Sequence, residues 1–301
     1  MDNSIVDKIN CCKKPDTLVI GDTHWKYLIR SVLKGKNILI VGPTGSGKTS
    51  AAVAASDALQ RSDRFYRFNL GSMQDARSSL IGNTHFEKET GTIFSESTFV
   101  RAIQTENAVI LLDELSRASH DAINILVTPL DDIQRYLRLD EKKTSDVINV
   151  AKGVTFIATA NIGNEYTATR IMDRALLNRF SVKLEMNPIK KDDEINLMKV
   201  KFNDFNGDKE KLKLLNVVTD IASHTRLEAS KDGGRLTDFI TTRAIVEMSE
   251  LIMDDFSLLE ICECVILPIF STDGGIESER IYIKQLIQKY IEIDGIPESL
   301  H

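Results

Sequence analysis

The sequence predicts an α/β fold: a three-layer αβα arrangement around a parallel sheet over residues 1–187, followed by an all-helical domain over 188–301. Three observations carry this expectation. Short, almost wholly apolar segments alternate with helical patterns from about residue 20 to 187, the first of them runs into a glycine-rich turn, and strand-like segments stop after Met186. Strands that lack an alternating polar face are buried on both sides, as they are in parallel sheets.

The elements follow in order. The stretch "DTHWKYLIRSVLKG" reads as a helix with Asp22 as its N-cap, an apolar stripe of Trp25, Leu28, Ile29, Val32 and Leu33, and Gly35 as its stop. The expected strands are "KNILIVG", "RFYRFNL", "NAVILLDE", "GVTFIATAN" and "FSVKLEM". Two segments interrupt the alternation as hairpin insertions, one near 84–98 turning at Thr90 and Gly91, the other at 136–153 around a charged tip. From 188 onward, "KKDDEINLMKVKF", "KEKLKLLNVVTDIASH", "LTDFITTRAIVEMSELIMDD" and "LLEICECVILPIF" carry apolar residues at helical spacing.

Composition narrows the function classes. With 38 Lys+Arg against 44 Asp+Glu the net charge is -6, which gives no general attraction to phosphate backbones or anionic membrane. The clusters "KKDDEINLMKVK" and "KEKLK" are interleaved with acids and read as solvated helix faces. The first thirty residues show no secretory or transit pattern, and no apolar run reaches the ~18 residues of a membrane span. A soluble, cytoplasmic protein without membrane contact is therefore expected. Cys11, Cys12, Cys262 and Cys264 form no CxxC pair, so reduced thiols are expected in place of a zinc site.

The chemistry concentrates in "GPTGSGKT", residues 42–49, which follows a strand and opens the helix "TSAAVAASDAL". This is the P-loop pattern of nucleotide triphosphatases in its proper context. Gly42, Gly45 and Gly47 let the backbone of Gly42, Pro43, Thr44, Gly45, Ser46 and Gly47 wrap an anion, the N–H groups of all but Pro43 being available to point at it, and the helix N-terminus adds positive potential. Lys48 is expected to reach the β- and γ-phosphates of ATP, and the Thr49 hydroxyl to bind Mg²⁺. "AVILLDEL" then delivers Asp113 and Glu114 at the carboxyl end of a strand, where ligands bind in open α/β sheets. Asp113 is expected in the Mg²⁺ shell and Glu114 as the group that activates an attacking water. "VTFIATAN" ends in Asn161, whose amide could bond that water or the γ-phosphate.

Taken in order, "GPTGSGKT", "VILLDELSRAS", "FIATAN", "ALLNRF" and "TTRAIVEMSEL" resemble the AAA+ ATPases over about residues 20–270. The run "ATANIGNEYTATRIMDRALLNRF" and the segment "TTRAIVEMSELI" resemble more narrowly the MoxR-type branch with its CbbQ, NorQ and CobS relatives. The resemblance implies a homo-oligomeric ring, usually a hexamer, with ATP between neighbouring subunits and the helical domain as a lid. By position it implies Asn161 as sensor 1, Arg179 as the arginine finger, Arg243 as the sensor 2 arginine, and Asn69 as a residue restraining the catalytic glutamate. Phe86 and Phe94 are the aromatic candidates for a pore loop. It also implies remodelling of a protein client, among relatives a von Willebrand A-domain protein, in some cases for metal or cofactor insertion.

Arg174 is the alternative finger. At 100° per residue, positions five apart differ by about 140°, so Arg174 and Arg179 cannot address one phosphate from an unbroken helix. Arg179, just before the strand "FSVKLEM", is placed to project off the subunit edge. Two other functions stay open on the sequence: a nucleic-acid-directed ATPase, of a restriction or helicase type, and a nucleotide-gated scaffold with little turnover.

Overall fold

The computed structural model describes residues 3–88, 91–142, 144–161, 174–231 and 233–294. Nine strands are present among them: β1 (Ile38–Val41), β2 (Phe65–Asn69), β3 (Gly82–Glu87), β4 (Gly91–Glu96), β5 (Val109–Asp113), β6 (Tyr136–Leu139), β7 (Asp146–Asn149), β8 (Thr155–Ala160) and β9 (Val182–Glu185). The chain divides into two compact units, Met1–Pro43 with Gly47–Asn187, and Pro188–His301 with Thr44–Ser46.

The first unit is built on a five-stranded, all-parallel sheet in the order β2-β5-β8-β1-β9. Every residue of β5 and β8 is buried. Their side chains alternate between two cores, as a period of two requires. Ile38, Ile40, Val109, Leu111 and Ile157 join the helix Asp22–Leu33 and the alanines of the helix Lys48–Ala58 on one face. Leu39, Ile110, Leu112, Phe156 and Ala158 face Phe99, Ile103 and Leu126 on the other. Ala51, Ala52 and Ala55 are fully buried, and their small size lets the helix that follows the P-loop lie close on the sheet.

The helix at 22–33 departs from the expected capping: Gly21 is its N-cap, with no side-chain cap bond, and Asp22 occupies the first turn. A carboxylate there still complements the helix dipole. Two antiparallel hairpins, β3 with β4 and β6 with β7, stand apart from the main sheet. Lys142 at the tip of the second binds Glu96 of β4 at 3.2 Å and Asp146 of β7 at 2.7 Å.

The second unit is helical: Lys191–Lys201, Lys209–Ala229, Thr242–Met253, Leu258–Ile261 with the π-turn that follows it, and Glu279–Asp294. It has its own core, in which Met198, Val218, Ile221, Ile245, Met248 and Ile287 are fully buried. No helix among the described residues is long and apolar enough to cross a membrane.

Candidate active site

The phosphate turn leaves β1 in the sheet interior, between β8 and β9. Gly42 N–H donates to the carbonyl of Ala160, the last residue of β8, which brings the start of the turn beside Asn161. Gly45 and Gly47 have φ of +81° and +85°, the left-handed region where only glycine is unstrained. Gly47 caps the helix Lys48–Ala58, so the turn hands the chain directly to a helix N-terminus. Thr44, Gly45 and Ser46 complete the turn, with Ser46 buried.

Lys48 is 8% exposed, and its ammonium donates to the carbonyls of Gly42 at 2.9 Å and Pro43 at 2.6 Å. Burial pushes its pKa down to about 8, and the carboxylates of Asp113 and Glu114 offset part of that shift. The sign has two consequences. Above pH 8 the buried ammonium is progressively discharged, so this group's contribution to folding stability improves as pH rises toward its ordinary 10.5. Phosphate binding needs the charge, so nucleotide affinity is expected to be full below pH 8 and to fall about tenfold per unit well above it. Fluorescent-nucleotide titrations from pH 7 to 9.5 check this, and Lys48→Arg should flatten the profile.

Asp113 ends β5 with 5% exposure, and three side chains grip its carboxylate. The Thr49 hydroxyl lies 3.2 and 3.3 Å from its two oxygens, Arg67 of β2 donates to Oδ2 at 2.6 Å, and Thr159 of β8 donates to Oδ1. Asp113 and Thr159 continue the β5–β8 register, in which Leu112 pairs with Ala158. A hydroxyl and a carboxylate beside a buried lysine are the hard oxygen donors that Mg²⁺ takes, with phosphate and water completing its shell. Among the described residues no group of three or more His, Cys, Asp or Glu is placed to hold a metal ion.

Glu114 adopts φ +58°, ψ +42°, a left-handed conformation that costs a residue with a Cβ on the order of 1 kcal/mol or more. Its N–H donates to the Thr159 hydroxyl at 3.1 Å, so one threonine fixes both acids. The Glu114 carboxylate rests on the backbone of Gly71, where an added Cβ would come within 2.3 Å of Oε2, and it lies 3.7 Å from the Arg117 guanidinium.

Asn69 does not reach Glu114. Its Oδ1 accepts from the N–H groups of Gly71 and Ser72 and so closes its own turn. Asn161 follows β8 directly and is half-buried at the same edge of the sheet. Arg179 lies two residues beyond the short helix Arg174–Leu177, where Nε donates to Val127 O at 2.8 Å and Nη1 to Ala175 O at 2.7 Å. The Arg174 side chain lies outside the described residues, as does the run 162–173. In the helical unit, Arg243 is exposed in the first turn of the helix Thr242–Met253.

The first unit thus brings together Lys48, Thr49, Asp113 and Glu114. Sequence patterns did not single out Thr159, Arg67 or Gly71, although a charged residue inside the otherwise aromatic "FYRF" is a visible signal for Arg67.

A parallel sheet in this order, with a P-loop after β1, an Asp-Glu pair after β5 and a helical C-terminal part, is the AAA+ fold. Residues 37–180 match the AAA domain of the dynein-related subfamily. An uncharacterised protein of Staphylococcus saprophyticus is 36% identical over 151 residues, which cover 49% of this chain and 54% of that one. A protein of Thauera aromatica described as a candidate chaperone, BssE, is 34% identical over 147 residues, 48% of this chain and 49% of that one. The matched regions thus span about half the length of these two relatives. A Staphylococcus aureus protein is 29% identical over 245 residues, 80% of this chain and 85% of that one. Among solved structures, Hsp104 in a closed state with ATPγS and casein shares the fold, with a TM-score of 0.52 and 17% identity over 78% of this chain and 45% of that one.

Proposed function

We propose that the chain is a Mg²⁺-dependent ATP hydrolase that acts as a homo-oligomeric ring, in the manner of AAA+ hexamers, and spends hydrolysis on remodelling a protein partner. The observation that carries the hydrolase reading is the joining of Asp113 and Glu114 to the P-loop helix through Thr49 and Thr159. Lys48 and the N–H groups of the turn hold the β- and γ-phosphates, and Thr49 and Asp113 hold the metal. A bound Mg²⁺ neutralises phosphate charge. Glu114 orients a water and takes its proton, and Asn161 bonds the same water or the γ-phosphate. Arg179 acts on a neighbour's nucleotide, and Arg243 acts on the nucleotide from the helical lid.

The MoxR-type resemblance and the likeness to BssE support a protein client, with a von Willebrand A-domain protein as the chemistry to try first. The exposed Phe86 of the β3–β4 hairpin suits contact with such a client. The purified chain should release phosphate from ATP when Mg²⁺ is present, lose that activity in EDTA, and reach a hexamer's mass with ATP. Lys48→Ala should abolish both binding and turnover. Stimulation by DNA or RNA with a steep salt dependence would replace the protein client with a nucleic acid.

A further inference from the structure

In the helical unit one acid sits where the sequence suggested a solvated helix face. Glu194, in the helix Lys191–Lys201, has no exposed surface. Its carboxylate takes the Arg226 guanidinium in a two-point pair, 2.9 Å on each arm, and accepts the Thr242 hydroxyl at 2.5 Å. The remaining Arg226 donor, Nε, reaches the carbonyl of Ile240 at 2.8 Å, and the N–H of Ile240 donates to the Thr225 hydroxyl at 3.1 Å. Both backbone groups of Ile240 are therefore held by adjacent side chains of the helix Lys209–Ala229. Thr241 then caps the next helix by accepting the N–H of Ala244. The three residues immediately before Arg243 are pinned from three helices, while Arg243 itself is exposed.

Stability alone does not account for this arrangement. A buried ion pair recovers little more than its desolvation cost, and apolar residues of similar volume often serve as well. Its planar, two-point geometry does fix direction, because an Arg fork and a carboxylate bond in one relative orientation. Ile240 and Ile245 are both fully buried on either side of the site, so apolar packing was available to anchor this segment.

We propose that Glu194, Arg226 and Thr242 form a positioning clamp that sets the direction in which Arg243 leaves the helical unit. This rests on the role of Arg243 given under Proposed function. Groups that act on a reacting phosphate must be held within a fraction of an ångström, and a misplacement of about 1 Å can cost on the order of a hundredfold in rate. In this reading the clamp residues act through Arg243 alone.

Thr242→Val is the sharpest probe. It keeps the shape of the side chain and the Glu194–Arg226 pair, and removes only the hydroxyl that ties the helix to them. Steady-state hydrolysis and melting temperature would be measured for Arg243→Ala, Thr242→Val, Thr242→Ser, Arg226→Lys and the double variant Thr242→Val/Arg243→Ala. Thr242→Val is expected to lower kcat/KM about tenfold, divided between kcat and KM in the same proportion as in Arg243→Ala. Thr242→Ser should return to within about twofold of the parent, and the double variant should be no slower than Arg243→Ala, the non-additivity that marks residues acting as a unit. Arg226→Lys, which keeps the charge and loses the fork, should follow Thr242→Val. A slow Arg243→Ala beside an unaltered Thr242→Val would overturn the clamp and leave the reading of Arg243 intact, and so would full additivity in the double variant. An unaltered Arg243→Ala would remove that reading and the clamp's function with it.

Discussion

Glu114→Gln is expected to bind ATP with nearly the parent's affinity and to hydrolyse it at least a hundredfold more slowly, the usual contribution of a positioned general base. The amide has the shape of the carboxylate and none of its basicity. The left-handed backbone at this position and its N–H bond to the Thr159 hydroxyl are indifferent to the exchange, so the melting temperature should not move. Gly71→Ala reaches the same carboxylate by another route. The new Cβ would fall 2.3 Å from Glu114 Oε2 and 3.2 Å from the Glu114 and Arg117 Cβ atoms. The tightest contact is the free end of a side chain, which can swing aside, so the fold should survive while the base is displaced. Phosphate-release assays beside fluorescent-nucleotide titrations separate chemistry from binding in both variants, and equal rates in the parent and Glu114→Gln would take Glu114 out of the chemistry.

The parts of this site that could be read from the sequence are those that local pattern encodes. The strand segments, the phosphate turn and the acids after β5 follow from apolar runs and glycine spacing, because each feature lies within about ten consecutive residues. What escaped is pairwise and distant. Thr159 looks like one more β-branched strand residue until the parallel register sets it beside Asp113, 46 positions earlier. Gly71 reads as a turn glycine, and only the approach of the Glu114 carboxylate gives it a second reason to lack a Cβ. Asn69 stands in the order expected of a glutamate restraint, but its side chain closes a local Asx turn, with Oδ1 accepting from Gly71 and Ser72, a use that sequence order does not reveal. Glu194 was hidden by its neighbours: the four charges that precede it in "KKDDE" suggest a wet face, yet its helical register places it among Ile195 and Met198. Conversely, the helix Glu279–Asp294 carries mixed polar residues that blur its apolar stripe of Ile283, Leu286, Ile287 and Ile291.

Arg179→Ala is expected to bind ATP and to lose hydrolysis by about a thousandfold or more, the scale on which arginine fingers act. Its location within the chain explains why the loss should concern a neighbouring copy. The Arg179 carbonyl accepts the side-chain amide of Asn37, the residue before β1, and Val182 pairs with Ile38. Arg179 therefore lies at the amino-terminal edge of the sheet, whereas the phosphate turn leaves the carboxyl-terminal edge, about 10 Å of strand away. It is poorly placed for its own chain's nucleotide. Two of its five donors are spent on the carbonyls of Val127 and Ala175, which fix the guanidinium, and Nη2 lies 3.9 Å from Asp131. The donors left over form the planar fork that suits a phosphate. Mixing Arg179→Ala with Glu114→Gln should therefore restore part of the activity that each lacks alone: wherever an Arg179→Ala chain holds the nucleotide and a Glu114→Gln chain supplies the finger, one interface has both groups intact. Full activity in the Arg179→Ala protein would move the role to Arg174, and failure of Arg174→Ala to support hydrolysis would then complete the reassignment.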